Sequence, residues 1–336
     1  MTDRMEDLAR WVRSSFGELE SVAPIAGDAS HREFYRITSG GVTFIVMDSS
    51  RTPLWPWLDI HNLLRGMDFP VPGVVLSDES RGYVIQEDLG DTRLCDVKSE
   101  KEYTAYLQQA LSLLRRFHRE ITPAKASGSI AGRRYFTTSF FMAELEHTLE
   151  HLFFRLLRVP VEELMETQRL MRILCEKAMG STGSVFTHRD FHSANLMISG
   201  DRVCMVDWQD ARQGPPCYDL ASLLRDSYHD CGEQWRNMAQ AFILGINGAN
   251  LFEFVFSALQ RNLKALGTFA YQYRACGNDR YLKYMPLTLR YMEEYSSVCP
   301  AVGKIVENIL GIIDRHTGEI DLRNFRESDS PVKINL

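Results

Sequence analysis

The chain has 336 residues, 45% hydrophobic and 24% charged, which is the composition of an ordinary globular protein long enough for two lobes. Its net charge of -6 argues against a nucleic-acid partner, which would need a broad basic face, while leaving room for a local basic pocket. The seven cysteines, at 95, 175, 204, 217, 231, 276 and 299, include no Cys-x-x-Cys pair and are odd in number, which suits a reducing cytoplasm better than a disulfide framework or a zinc site.

Residues Met1 to Asp7 lack the apolar core of a signal peptide, and no run of about eighteen apolar residues occurs, so neither secretion nor a membrane is expected. The expected location is cytoplasmic, with no protein partner evident. Met5, Leu8, Trp11, Val12 and Phe16 recur at helical spacing and predict an amphipathic helix ending near Gly17. Strands then flank a turn containing Gly27-Asp28-Ala29-Ser30, whose small residues let backbone N–H groups approach an anion, with Arg32 and Arg36 close behind. An ordinary hairpin with solvated arginines is the simpler alternative, and is preferred for Arg36. Val42 to Met47 reads as an apolar strand, Leu54, Leu58, Leu63 and Leu64 as a helix, and Val71 to Leu76 and Tyr83 to Gln86 as further strands. Gln86-Glu87-Asp88-Leu89-Gly90 then reads as a hinge that exposes backbone polar groups at Glu87 and Leu89.

From Ser99 the pattern is helical. Ser99-Glu100-Lys101-Glu102 is a capping box for a long helix carrying Tyr103, Leu107, Ala110, Leu114 and Phe117. Residues 122–134 read as an exposed loop. Phe140 to Leu156 and Val161 to Ala178 predict two more helices, on the first of which Glu144 reads as a solvated or capping charge.

The chemistry concentrates in Val185 to Asp219. His188-Arg189-Asp190 is followed five residues after the aspartate by Asn195, and a predicted hairpin of Leu196 to Ile198 with Val203 to Val206 leads to Asp207. Phosphoryl transfer needs a carboxylate to orient and deprotonate the attacking hydroxyl, here Asp190, and oxygen ligands for magnesium, here Asn195 and Asp207. His188 is expected to brace the loop, and Asp219 to serve as scaffold. Asp210 either approaches the acceptor or merely ends the strand.

This block, with Gly214-Pro215-Pro216-Cys217-Tyr218-Asp219-Leu220, resembles the aminoglycoside phosphotransferase and choline kinase group, and more narrowly the bacterial kinases that phosphorylate N-acetylmuramate and N-acetylglucosamine at the anomeric hydroxyl. The likeness extends from about Gly27 to Tyr284. It implies an α+β, bilobal, protein-kinase-like fold, with a sheet lobe over residues 1–90 and a helical lobe over 91–336. ATP would lie between the lobes, held by Gly27, Asp28, Ala29, Ser30 and Arg32 and by the backbone at Glu87 and Leu89, with Mg2+ as cofactor and a small sugar as acceptor. Two departures stand out: Asp207-Trp208-Gln209 replaces Asp-Phe-Gly, and Met47 occupies the place of the phosphate-binding lysine. Rival readings are an aminoglycoside or choline kinase and a non-catalytic nucleotide-binding pseudokinase.

After Asp219 the sequence is helical. Gln260 and Lys264 lie one turn apart with Arg261 beside them, a set that suits a sugar carboxylate or acetamide, although a solvated basic face is the simpler reading. Tyr271, Tyr273, Tyr281 and Tyr284 either stack on a sugar or, the simpler reading, pack in the core, and residues 314–336 read as a loosely held tail.

Overall fold

The computed structural model describes residues 3–25, 32–179, 183–246, 249–318 and 320–325. The fold is the bilobal α+β, kinase-like one, with a small N-terminal sheet lobe and a larger helical lobe. The chain divides into two compact units, residues 1–113 with 195–210, and residues 114–194 with 211–336. Residues 91–113 and 195–210, which the sequence reading placed with the helices, thus group with the sheet. Backbone pairing explains this: Ile198 N–H donates to the Thr92 carbonyl at 2.8 Å and Met205 N–H to that of Pro70 at 2.8 Å. The Gln109 amide adds bonds to Asp201 and Val203.

In the first unit, strands β1 (Ser21–Ile25), β2 (Glu33–Ser39), β3 (Val42–Asp48), β4 (Val74–Asp78) and β5 (Tyr83–Glu87) form an antiparallel sheet in the order β1-β2-β3-β5-β4. Alternation puts Tyr35 and Ile37 of β2 on one face, where they meet Leu8, Trp11 and Val12 of helix α1 (Asp3–Phe16). Helix α2 (Trp55–Gly66) starts with Pro56 in its first turn and buries Trp57, Ile60, His61 and Leu64, the spacing of one helical face. Helix α3 (Glu100–Glu120) begins where Glu102 N–H reaches the Ser99 hydroxyl at 3.4 Å, the donor half of the expected capping box.

In the second unit, the stretch 122–134 is more ordered than a loop. It holds helix α4 (Pro123–Ala126) and a 3-10 turn at Ile130–Gly132, with Ala126 and Ala131 fully buried. Alanine's lack of polarity lets both tuck into the core, which composition alone had read as turn-forming. Helix α5 (Thr138–Thr148) continues as a π-helical segment, Leu149–Leu156, and helix α6 (Val161–Met179) follows. Strands β6 (Val185–Thr187) and β9 (Arg212–Gly214) pair antiparallel. Between them in sequence, β7 (Leu196–Ser199) and β8 (Arg202–Met205) form the predicted hairpin of the first unit. Helices α7 (Tyr218–Leu224) and α8 (Trp235–Ile243) lead to α9 (Leu251–Cys276), which is capped by the Asn250 side chain and ended by Gly277 at φ 66°. A Cβ at Gly267 would lie 2.7 Å from Thr148 Cα, so glycine there permits α5 and α9 to touch.

Helices α10 (Met285–Val298) and α11 (Pro300–His316) complete the unit. The described part of the tail is packed, since Leu322 and Phe325 are buried and Arg323 pairs with Asp314 and Glu293. Residues 326–336 lie outside the described set. Among the described residues no helix is long and apolar enough to cross a membrane.

Candidate active site

The loop from His188 to Asn195, the candidate catalytic loop, is fixed by two buried carboxylates. Asp219, in the first turn of α7, accepts the backbone N–H of His188 at 2.6 Å and that of Arg189 at 2.9 Å, and Arg189 sits at φ 81°. A long side chain held in the left-handed region is strained, and the paired backbone bonds hold it there. Asp219 therefore has the scaffold role expected of it. Asp226 accepts the Ser193 N–H at 2.7 Å, the Ser193 hydroxyl, and the Tyr228 N–H at 2.9 Å. Burial pushes the Asp219 carboxyl up to about 7 and that of Asp226 up to about 6, against the pull of the N–H donors. His188 is fully buried with its ring against Phe191, and burial drives His192 down to about 3.

Asp190, between these two clamps, is treated differently. Its Oδ1 accepts from Arg261 Nη1 at 2.6 Å and from Lys264 Nζ at 2.9 Å. Arg261 Nη1 also donates to the Arg189 carbonyl at 3.0 Å. Burial alone would raise the Asp190 carboxyl, but the charges of Lys264, Arg261 and Arg189 outweigh it and hold the group well below the usual carboxylate range. The side chains of Arg261 and Lys264 are only 10% and 19% exposed, which corrects the simpler reading of a solvated basic face. One face of α9 carries both residues because they stand three apart, and the packing of α9 turns that face toward the catalytic loop.

Glu144 is the member that sequence reasoning set aside as a solvated or capping charge. Its side chain is 9% exposed and takes Arg189 Nη2 at 2.9 Å, Gln260 Nε2 at 2.5 Å and Lys264 Nζ at 3.5 Å. A partial signal existed: Glu144 lies one turn from Phe141 and Thr148, both buried, so that side of α5 faces protein rather than water. Asp226 carried no such signal, because its partner Ser193 is 33 residues away in sequence.

In the first unit, the Val206 N–H reaches the Asn195 carbonyl at 3.1 Å and ties the segments bearing Asn195 and Asp207 together. Asp207 stands at φ 68°, and its Oδ1 accepts from the Gln209 amide at 2.8 Å. Trp208 explains the departure from Asp-Phe-Gly. It is fully buried against Trp57 at 4.9 Å and donates its indole N–H to the Trp57 carbonyl at 3.1 Å, anchoring the residue next to Asp207. An amide and a carboxylate oxygen are hard donors that fit Mg2+, which would take its remaining ligands from phosphates and water. Among the described residues no cluster of three or more His, Cys, Asp or Glu competes for that role.

Met47 is buried in the sheet, so β3 offers no cation at its end. Arg32 is the nearby alternative. Its Nε donates to the Ser49 hydroxyl at 3.2 Å, just past β3, and while burial lowers its guanidinium the charges of Asp207 and Asp210 support it. Asp210 is half-buried. Arg36 is partly exposed but paired: it forks onto Asp88 at 2.7 and 3.1 Å and onto Asp91 at 2.8 and 3.2 Å. The reading as a merely solvated charge missed these two carboxylates, which tie β2 to the segment that follows the exposed Glu87 and carries the buried Leu89. Gly27, Asp28, Ala29 and Ser30 lie outside the described residues.

Fold and site together are those of a phosphoryl-transfer enzyme of the kinase-like class. The chain belongs to the phosphotransferase enzyme family, whose profile matches residues 21–250. It is 27% identical to an N-acetylmuramate/N-acetylglucosamine kinase of Neisseria meningitidis serogroup B, covering 94% of this chain and 98% of that one. It is 26% identical to an enzyme of the same name from Pseudomonas putida, covering 92% and 93%. Among solved structures it is similar to the choline kinase LicA from Streptococcus pneumoniae, with a TM-score of 0.63 at 16% identity, over 88% of this chain and all of that one.

Proposed function

We propose that the protein transfers the γ-phosphoryl group of ATP to a sugar hydroxyl, most specifically the anomeric hydroxyl of N-acetylmuramate or N-acetylglucosamine. The observation that carries this reading is the likeness over nearly its whole length to kinases named for those sugars, joined to a partly exposed, ion-paired aspartate at the expected base position. In this reading Asp190 orients the acceptor hydroxyl and takes its proton. Asn195 and Asp207 hold Mg2+, which when bound neutralises phosphate charge. Arg32 supplies the cation that Met47 cannot, the backbone at Glu87 and Leu89 meets adenine, and the 27–30 segment covers the phosphates. Asp210, Arg261 and Lys264 contact the acceptor.

The depressed Asp190 carboxyl fits an anomeric acceptor. A strongly ion-paired carboxylate is a weak base, and a hemiacetal hydroxyl, more acidic than an ordinary alcohol, needs less help. The cationic acceptors of the rival reading, aminoglycosides and choline, would meet like charge at Arg261 and Lys264. The test is phosphorus NMR of the purified protein with Mg-ATP and N-acetylmuramate, N-acetylglucosamine, glucose, kanamycin or choline in turn. A sugar 1-phosphate resonance is expected. Product only on kanamycin or choline would overturn the sugar assignment.

A further inference from the structure

Arg261 and Lys264 are committed to Asp190, the group proposed as base, and each also holds a second partner. Lys264 Nζ lies 2.9 Å from Asp190 and 3.5 Å from Glu144, and Arg261 Nη1 lies 2.6 Å from Asp190 and 3.0 Å from the Arg189 carbonyl. Lys264 can therefore leave Asp190 for the Glu144 carboxylate, and Arg261 keeps the Arg189 carbonyl, so neither cation is left without a partner in the protein interior. Glu144 is itself kept in place by Arg189 and Gln260, so it remains as the resting partner for Lys264. Gln260 Oε1 is buried with no hydrogen-bond partner and offers an acceptor for an amide N–H.

We propose that Arg261 and Lys264 form a two-position switch, pairing with Asp190 until a carboxylate on the acceptor draws them away and releases Asp190 to act as base. This rests on the proposed sugar-kinase reading and deepens it. Two acceptors that differ by a lactyl ether arm bearing the carboxylate would then differ in turnover as well as in binding. The carboxylate-bearing sugar opens the switch by charge-assisted hydrogen bonds, whereas the neutral sugar reacts with the base still pinned. A carboxylate supplied as a separate molecule would restore part of the missing rate, because nothing in the exchange needs it to be tethered.

The experiment measures kcat and KM for N-acetylmuramate, and for N-acetylglucosamine with and without added D-lactate, in the unmodified protein and in Lys264→Met. In the unmodified protein kcat is expected to be about tenfold higher for the acid, equivalent to about 1.4 kcal/mol. Added lactate should raise kcat on the neutral sugar severalfold. In Lys264→Met the lactate response should vanish and the ratio of the two kcat values narrow to about threefold or less, equivalent to under about 1 kcal/mol. Equal kcat for the two sugars in the unmodified protein, without lactate activation, would overturn the switch while leaving the kinase reading intact. The lactate measurement needs no variant, so a poorly folded Lys264→Met does not shield the idea. Absence of phosphorylation on either sugar would remove the proposed function and the switch together.

Discussion

Asp190 and Asp219 are both enclosed by the protein, yet their carboxyls move in opposite directions. Asp219, at the start of α7, meets two backbone N–H groups and is pushed up to about 7. Asp190 meets two full positive charges from α9 and is held well below the usual range. Burial is common to both, so the partner decides: dipoles only partly offset the loss of hydration, whereas cations more than offset it. The α7 region uses a carboxylate to shape the loop, and the α9 region sets the charge of the proposed base on that loop.

The comparison breaks most plainly at Asp190. Asp190→Asn should lower kcat by about 10²–10⁴-fold, the usual worth of a general base, and the steady-state rate checks it. Removing the anion also leaves Arg261 and Lys264 facing one another, so a loss of thermal stability is expected alongside.

At Asp219 the expected effect is on stability and its pH dependence. Between about pH 4 and 7 the unfolded chain has released this proton while the folded one keeps it, so the folded state binds more protons. Stability from this group is then lost as pH rises through that window, and the loss is complete above it. Asp219→Asn should flatten that part of a plot of melting temperature against pH, and an unchanged slope would show that the folded carboxyl titrates normally. Asp226, pushed up to about 6, should contribute the same sign over a narrower range.

Glu144→Gln sharpens the α9 side. It preserves shape but removes the carboxylate that pairs with both Arg189 and Lys264, and should cost about 1.5–3 kcal/mol in denaturant unfolding. The smallest effect is expected at Arg36→Ala, since the pairs with Asp88 and Asp91 are near the surface and such pairs are worth about 0–1 kcal/mol. A loss well above that range would mean that the hinge depends on Arg36 for its shape.

Much of the first unit was legible from pattern, because strand alternation and helical stripes are local. The hairpin β7 and β8, the helix α2 and the start of α3 fall where the sequence put them. The loop 122–134 did not, since its small residues are compatible with both turn and packed helix, and only the surrounding core chooses. Arg36 was read as a surface charge because its partners are 52 and 55 residues distant, beyond any local rule.

The order His188-Arg189-Asp190, Asn195, Asp207 by itself fixed the class of chemistry, because phosphoryl transfer needs a carboxylate and oxygen ligands and few other patterns supply them at that spacing. The resemblance to the kinase pattern also marked Met47 as standing where a lysine is expected. Tertiary structure alone decided that Glu144 belongs to the site, that Asp226 holds Ser193, and that Arg261 and Lys264 close on Asp190 rather than facing solvent. The reason is that a charge's partner, unlike a helix's stripe, comes from whichever distant segment the fold brings to it, and that segment leaves no period in the sequence.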